Sequence, residues 1–447
     1  MDETLFELPK EEGPCEGKGI GKPRLETADR GQVEMRLAAL DDLLPEEHRA
    51  RLVWEMVQSY DLGAFYAGIA AVEGNAGRPA IDPPILLALW LYATLEGVGS
   101  ARELDRLCQE HIAYQWLLGG VKVNYHTLAD FRVEHEAELD RLLTHSVAAL
   151  LQAGIVKLDR TAQDGIRVRA SAGSNSFHRR PTLEKHLAEA QARVEQLKAH
   201  TQDGEESRAE KRSSAARQRQ AREQIQRLEK ALQEIQQVEA QKAKDRMLKR
   251  KNKPARASST DPEVRVMKMS NGGFNPAYNG QVCIDMDSRI IVGVEISNQT
   301  DTYAMTPMLE QMEVRYAKTV GEHYVDGGYR NNAQIEAASA KGVQVFTPIP
   351  ASYSVHSRKR PEEILPKDGP GVRSWKERMQ TQAAKDQYGQ RAATIEWANA
   401  LLRNRGLTRL VVRGIQKARA VLLWFALAHN LLQTLTLRRS QTAANPA

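Results

Sequence analysis

Gln163-Asp164-Gly165-Ile166-Arg167-Val168-Arg169-Ala170 is the stretch at which the sequence changes character. From Asp164 onward polar and apolar residues alternate, the two-residue period of a half-buried strand. Gly165 within that run predicts a bulge. Everything from Leu37 to about Leu151 has the opposite signature. Leu43, Leu44, Leu52, Val53, Met56 and Val57 recur at helix spacing. Asp82-Pro83-Pro84 opens an apolar helix over Ile85–Leu95, with prolines in the first turn where no N–H partner is needed. Ser100-Ala101-Arg102-Glu103 reads as a capping box. Beyond the turn at Gly119-Gly120, Thr127 opens a helix through Leu128, Phe131 and Arg132, so this region reads either as a helix-turn-helix or as part of an ordinary bundle.

Downstream of the strand the pattern changes twice more. In residues 181–257 Leu183, Leu187, Ala190, Val194 and Leu197 are spaced four and three apart, and Leu228, Leu232 and Ile235 resume that spacing after a polar break. This predicts an antiparallel helical hairpin with a coiled-coil seam. Residues 181–260 carry 19 Lys/Arg against 12 Asp/Glu, an excess larger than the +6 of the whole chain. Such a hairpin is either a solvated face or an arm that touches phosphates. Strand signals then return. Gly280–Asp285 and Arg289–Asn298 predict a β-hairpin, and His323–Asp326 a short strand ending at an acid. Asn331 or Asn332 caps a helix to Ala340, Val343–Phe346 is a further strand, and residues 348–374, with five prolines, form a loop. One helix is expected from Trp375 to about Arg403 and a buried one from about Ile415 to Leu437.

The fold class is therefore α/β. A mixed-sheet domain (152–180 and 258–437) is interrupted by the basic hairpin (181–257) and preceded by an all-α domain (31–151). Residues 1–30 and 438–447 are expected to be a flexible lead-in and tail.

A chain of 447 residues with 41% hydrophobic and 27% charged residues is expected to fold as a protein of two or three domains. Its positive charge suits a polyanion, of which nucleic acid is the commonest. Cys15, Cys108 and Cys283 form no C-x-x-C pair, which argues against a structural zinc site or a disulfide framework and fits a reducing cytosol. The acidic N-terminus does not read as a signal peptide, and the apolar runs Ile85–Leu95 and Ala420–Ala428 fall short of the ~20 residues that span a bilayer. A cytoplasmic location without a membrane partner is expected.

Three acids stand in settings that suit metal-assisted phosphoryl transfer. Asp164 lies in a strand, Asp326 ends another before Gly327-Gly328, and Glu396 is helical. Mg²⁺ takes hard oxygen ligands, commonly one or two carboxylates with water or phosphate completing the shell. Each acid also has a plainer reading, as a turn or a solvated surface group, and Glu377 is a rival on the expected helix.

The surrounding blocks decide between them. Gln163–Ser171, Tyr324-Val325-Asp326-Gly327-Gly328-Tyr329 and Tyr388-x-x-Arg391…Glu396 resemble the three catalytic blocks of bacterial insertion-sequence transposases of the DDE class. Asp41 to about Arg132, including Tyr125-His126-Thr127-Leu128, is similar to that family's N-terminal domain. The closing segments Asn404-Arg405-Gly406-Leu407, Arg413-Gly414 and Ala428-His429-Asn430-Leu431 are similar too. The resemblance implies an RNase H-like core in which Asp164, Asp326 and Glu396 are catalytic and bind two Mg²⁺ ions, with Mn²⁺ able to substitute. It implies DNA contacts from Tyr388, Arg391 and Arg403. The implied substrates are the double-stranded terminal repeats of a transposable element and its target DNA, with the enzyme a homo-oligomer, a dimer when paired on DNA, working at the bacterial nucleoid. Cleavage would free a 3′-hydroxyl that attacks the target with no covalent protein intermediate. One spacing departs from the wider pattern: four residues separate Arg391 from Glu396 where three are common. A nuclease on the same fold that does not join strands, a domesticated DNA-binding protein without catalysis and a coiled-coil scaffold are the competing expectations.

Overall fold

The computed structural model describes residues 31, 33, 35, 37–72, 74, 79–202, 208–244, 254–350 and 362–444. The expected lead-in (1–30), the end of the tail (445–447) and part of the basic run (245–253) lie outside them.

Among the described residues a 3₁₀ turn at Leu40–Leu43 comes first, followed by seven α-helices: α1 (Arg49–Gln58), α2 (Gly63–Tyr66), α3 (Pro83–Leu95), α4 (Ala101–Glu110), α5 (Ile112–Leu118), α6 (Tyr125–Glu134) and α7 (Glu136–Gln152). Their boundaries follow from side-chain chemistry. Pro83 and Pro84 start α3, of which every residue except Ile85 is buried. Ser100 Oγ accepts the Glu103 N–H at 3.4 Å and caps α4. Gly119, with φ +57°, ends α5. The helix expected to open at Thr127 starts earlier, because Asn124 Oδ1 accepts the N–H groups of both His126 and Thr127 at 3.0 Å. Arg132 is buried, 4.6 Å over the Trp90 ring, and its guanidinium donates to the Gly99 carbonyl, so its role in this structure is packing.

The sheet begins with β1 (Arg160–Arg169). After β2 (Phe177–His178), helices α8 (Arg180–Gln202) and α9 (Arg208–Lys244) intervene. Then come β3 (Ala257–Ser258), β4 (Arg265–Lys268), β5 (Phe274–Asp285), β6 (Ile291–Ser297), α10 (Met305–Tyr316), β7 (Glu322–Tyr324), α11 (Asn332–Ala340) and β8 (Gln344–Phe346). β1 is antiparallel to β5 on one side and parallel to β7 on the other, and β8 continues parallel to β7. The far edge of β5 is shared: β4 pairs with its first residues and β6 with Asn279–Ile284. β2 and β3 form a separate ribbon at the root of the hairpin.

The bulge expected at Gly165 is absent. The register Asp164↔Val282, Gly165↔Gln281, Ile166↔Gly280 is unbroken, and the irregularity lies instead between Cys283 and Ile284. Gly165 answers a different need. A Cβ there would sit 2.3 Å from Asp301 Oδ1 and 2.9 Å from Asn279 Oδ1.

α8 and α9 are antiparallel. Arg180 at the start of α8 pairs with Glu239 near the end of α9 at 2.7 Å, while Gln218 donates to the Leu197 carbonyl at 3.3 Å. Leu183, Ala190, Leu228, Ala231 and Ile235 form a small core there with Ala257, apart from the main one.

The chain closes with α12 (Pro370–Gln380), α13 (Gln382–Gly389), a π-helical turn at Ala392–Glu396, α14 (Trp397–Asn404) and α15 (Ile415–Ala444). The single helix expected from Trp375 is thus broken. Thr381 leaves helical geometry at ψ 146° and its hydroxyl caps Ala384 N–H at 3.2 Å. Glu377 and Glu396 consequently stand on different helices. α15 also outruns expectation, since residues 438–444 continue it. Its stretch Ile415–Ser440 is long and apolar enough to cross a membrane by length and composition, yet 72% of its most apolar window is buried within the protein. It packs on α3, α6, α7 and β6, which joins the helices and the sheet into one continuous core.

Candidate active site

Strand pairing places the first two acids. Ala162 of β1 faces Tyr324 of the parallel strand β7, and Asp164 and Asp326 each follow two residues later. The two acids therefore stand level with each other, Asp164 midway along β1 and Asp326 just past the end of β7. Asp326 caps the 3₁₀ turn Gly327–Tyr329, its Oδ1 accepting the Gly328 N–H at 2.8 Å. The Asp164 carboxyl lies above its ordinary pKa. Burial is the main cause and the nearby Asp326 charge adds to it, while Arg391 opposes them.

The third acid arrives through the break between α13 and α14. Arg391 Nη2 forms an ion pair with Asp164 Oδ1 at 2.9 Å, and its Nη1 donates to Glu396 Oε1 at 2.9 Å. Glu396 lies five positions after Arg391, a spacing that points them apart on an α-helix. The wider π turn brings them onto one side, so the extra residue between them is absorbed locally. The Arg391 side chain is only 6% exposed, whereas Glu396 is 55% exposed at the mouth.

Tyr388 is half-buried beside the same group. Burial raises its hydroxyl pKa, Arg391 opposes that rise, and the charges of Asp326, Glu396 and Asp164 add to it. Asp164, Asp326, Glu396, Tyr388 and Arg391 are thus brought together. Arg403 is not. It is exposed on the last turn of α14, and its side chain has no hydrogen bond or ion pair among the described residues. Glu377 is exposed on α12 and does not contribute to the Asp164 environment.

Two participants escaped the sequence reading. Asn399 donates from Nδ2 to Asp164 Oδ2 at 3.0 Å, and its Oδ1 is buried without a partner. Its position three residues after Glu396 on a helix was the available signal. Asp301 had none, because only the fold brings it near. Its Oδ1 accepts Asn279 Nδ2 at 2.7 Å and Gln281 Nε2 at 2.8 Å. Thr302 Oγ1 donates to the Gly328 carbonyl at 3.2 Å. This turn therefore touches β1 at Gly165 and the Asp326 turn at Gly328. Beneath it His323, fully buried, contacts Thr161 Oγ1 at 2.8 Å and Gln163 Oε1 at 3.1 Å. Burial lowers its pKa to about 3, so it is neutral.

As arranged, no three His, Cys, Asp or Glu side chains among the described residues group closely enough to hold one metal ion. The donor chemistry nevertheless fits a hard divalent cation. The Asp326 charge disfavours the ionised form of Asp164, the Arg391 guanidinium already supplies a positive charge between Asp164 and Glu396, and the buried amide oxygen of Asn399 is unsatisfied.

Comparison with known families adds two matches. Residues 38–134 match the family model described as Transposase domain (DUF772), and residues 366–435 match the one described as Transposase DDE domain. The second match contains Tyr388, Arg391, Glu396, Asn399 and Arg403, while Asp164 and Asp326 fall outside both. No curated protein and no solved structure matches the chain.

Proposed function

We propose that this chain, an insertion-sequence transposase of the DDE class, cuts the ends of its element and joins the freed 3′-hydroxyls to target DNA at Asp164, Asp326 and Glu396. The observation that carries the proposal is the placement of Asp164, midway along β1, level with Asp326, just past the end of the parallel neighbour β7, with Glu396 tied to Asp164 through Arg391. A mixed sheet bearing acids at such a point also supports the RNase H-like reading of 152–180 and 258–437, with 31–151 as the DNA-binding helical domain and 181–257 as an inserted coiled-coil arm.

Asp164, Asp326 and Glu396 are the residues that would hold two Mg²⁺ ions, or Mn²⁺ in their place. When bound, such ions shield phosphate charge and stabilise both the attacking and the leaving oxygen. The chain's own groups do the rest. Asn399 orients Asp164, and the Arg391 guanidinium keeps Asp164 and Glu396 aligned. Tyr388, kept protonated by its surroundings, is placed to donate to a phosphate oxygen, and the exposed Arg403 can meet the DNA backbone. In the first step water adds to the phosphorus at the element end and the bond to the 3′ oxygen breaks. In the second, that 3′-hydroxyl adds to a target phosphorus and the target's own 3′ oxygen leaves. Each step forms one P–O bond and breaks one, and neither needs a covalent protein intermediate. Two element ends imply at least two copies of the chain, a dimer on DNA.

Asp326→Asn keeps the side chain's shape and removes its charge. Cleavage and strand transfer should both fall by roughly 10³-fold, the effect of several kcal/mol of lost charge stabilisation. The assay is a duplex carrying the element's terminal repeat mixed with plasmid target. Undiminished excision and insertion by this variant would overturn the assignment, and cleavage by the wild type without any joined product would reduce it to a nuclease.

A further inference from the structure

A groove of about 760 Å³ runs between the end of α9 and the β4 edge of the sheet. Arg167, Lys242, Arg265 and Lys268 line it, and no Asp or Glu among the described residues does. Two of the cations are fixed in place. Arg167 donates to the Lys268 carbonyl at 2.8 Å and pairs with Asp301 at 3.4 Å, and Arg265 pairs with Glu234 on α9. Lys268 is exposed and forms no ion pair among the described residues. The rim also shows surface that a globular fold usually covers: Tyr303 is 61% exposed and Val266 49%.

One turn links the groove to the carboxylates: Arg167, three residues beyond Asp164 on β1 and so on the other face of that strand, pairs with Asp301, and the Asp301–Tyr303 turn also bonds to Gly328 beside Asp326. Four cations, two of them already paired with Asp301 and Glu234, beside an exposed aromatic ring suit a nucleic-acid strand, whose phosphates take the charges and whose bases or sugars take the ring. We propose that this groove holds the DNA backbone flanking the phosphate to be cut, with α9 and β4 as its two walls. The inserted hairpin is then part of the DNA-binding surface. The proposal rests on the reading of Asp164 and Asp326 as the cutting centre.

The test uses the full chain without divalent metal, so that binding is read apart from chemistry. Fluorescence anisotropy with a terminal-repeat duplex and with an unrelated duplex separates the two possible sources of that backbone. Lys268→Gln and Tyr303→Ala should each weaken binding in at least one arm. The slope of log affinity against log salt should fall by about one for Lys268→Gln and stay unchanged for Tyr303→Ala. Lys268→Arg should restore both affinity and slope. Weakening in the terminal-repeat arm assigns the groove to the element end, and in the unrelated arm to target DNA. Wild-type affinity and slope for both variants in both arms would overturn the proposal. So would intact DNA binding combined with loss of oligomer by light scattering, which would make the groove a protein interface. Cleavage by the wild type in Mg²⁺ is scored separately, so a failure of the catalytic reading is not confused with a failure of the groove.

Discussion

Arg391 sets one buried positive charge between Asp164 and Glu396, 2.9 Å from each. Asp164 needs it, because burial and Asp326 both work against its ionised form. A guanidinium at that point does electrostatically what a bound cation would do, and it holds two of the three acids facing each other. Asn399 completes the arrangement from the other oxygen of Asp164. A carboxylate that binds metal depends on such outer partners for its orientation. Asn399→Ala should therefore weaken Mn²⁺ binding by about 10- to 100-fold, measured by calorimetric titration of the DNA-free protein. The fold should survive, since the amide oxygen lost with it is already unsatisfied. Unchanged Mn²⁺ affinity would show that Asn399 does not position the acid.

The π turn is the corresponding device at the scale of an element. A π turn is an α-helix that has taken in one extra residue, and here the addition lies between Arg391 and Glu396. Removing it should restore a four-residue step, at which side chains are again neighbours on a helix. Deletion of Ala393 is thus expected to keep DNA cleavage within roughly tenfold of wild type, while insertion of a further alanine after Ala393 should reduce it by roughly 10²-fold or more. Both are read in the terminal-repeat cleavage assay. A deletion variant that folds but is as inactive as Asp326→Asn would show that the turn has a role of its own. The elements also explain what could be read from the sequence. β1, the β5–β6 hairpin and the Asn331 cap were legible because alternation and capping are local. The break at Thr381 was not, because no Pro or Gly marks it and a threonine cap inside a helical pattern looks like any other polar residue. Gly165 was read as a bulge because a glycine in a strand signals either a bulge or a close approach, and the partner that decides the matter, Asp301, is 136 residues away. Asp164, Asp326 and Glu396 were singled out by their motif blocks, whereas the Arg391 bridge needed the π turn to exist.

At the scale of the molecule, α15 decides how the parts depend on one another. Trp424 lies 6.4 Å from Trp90 and 6.1 Å from Phe131, ring to ring, and its indole N–H donates to the Arg132 carbonyl at 2.9 Å. On the same helix Leu422 packs near Gly280, and Asn430 exchanges two hydrogen bonds of 2.8 Å with the backbone of Ile291. One helix thus buries itself against the N-terminal helices and the sheet together, and neither can lose it without exposing the other. The α8–α9 hairpin has a small core of its own and lacks that dependence. Trp424→Ala removes a fully buried ring and should cost about 3–5 kcal/mol. Scanning calorimetry should show a single main transition for the helical region and the sheet, shifted as a whole to lower temperature in this variant. Amide exchange should meanwhile be faster in α8 and α9 than in α3, β1 or α15. Two resolved main transitions, only one of them moved by Trp424→Ala, would mean that the helical region and the sheet are independent domains that merely touch through α15.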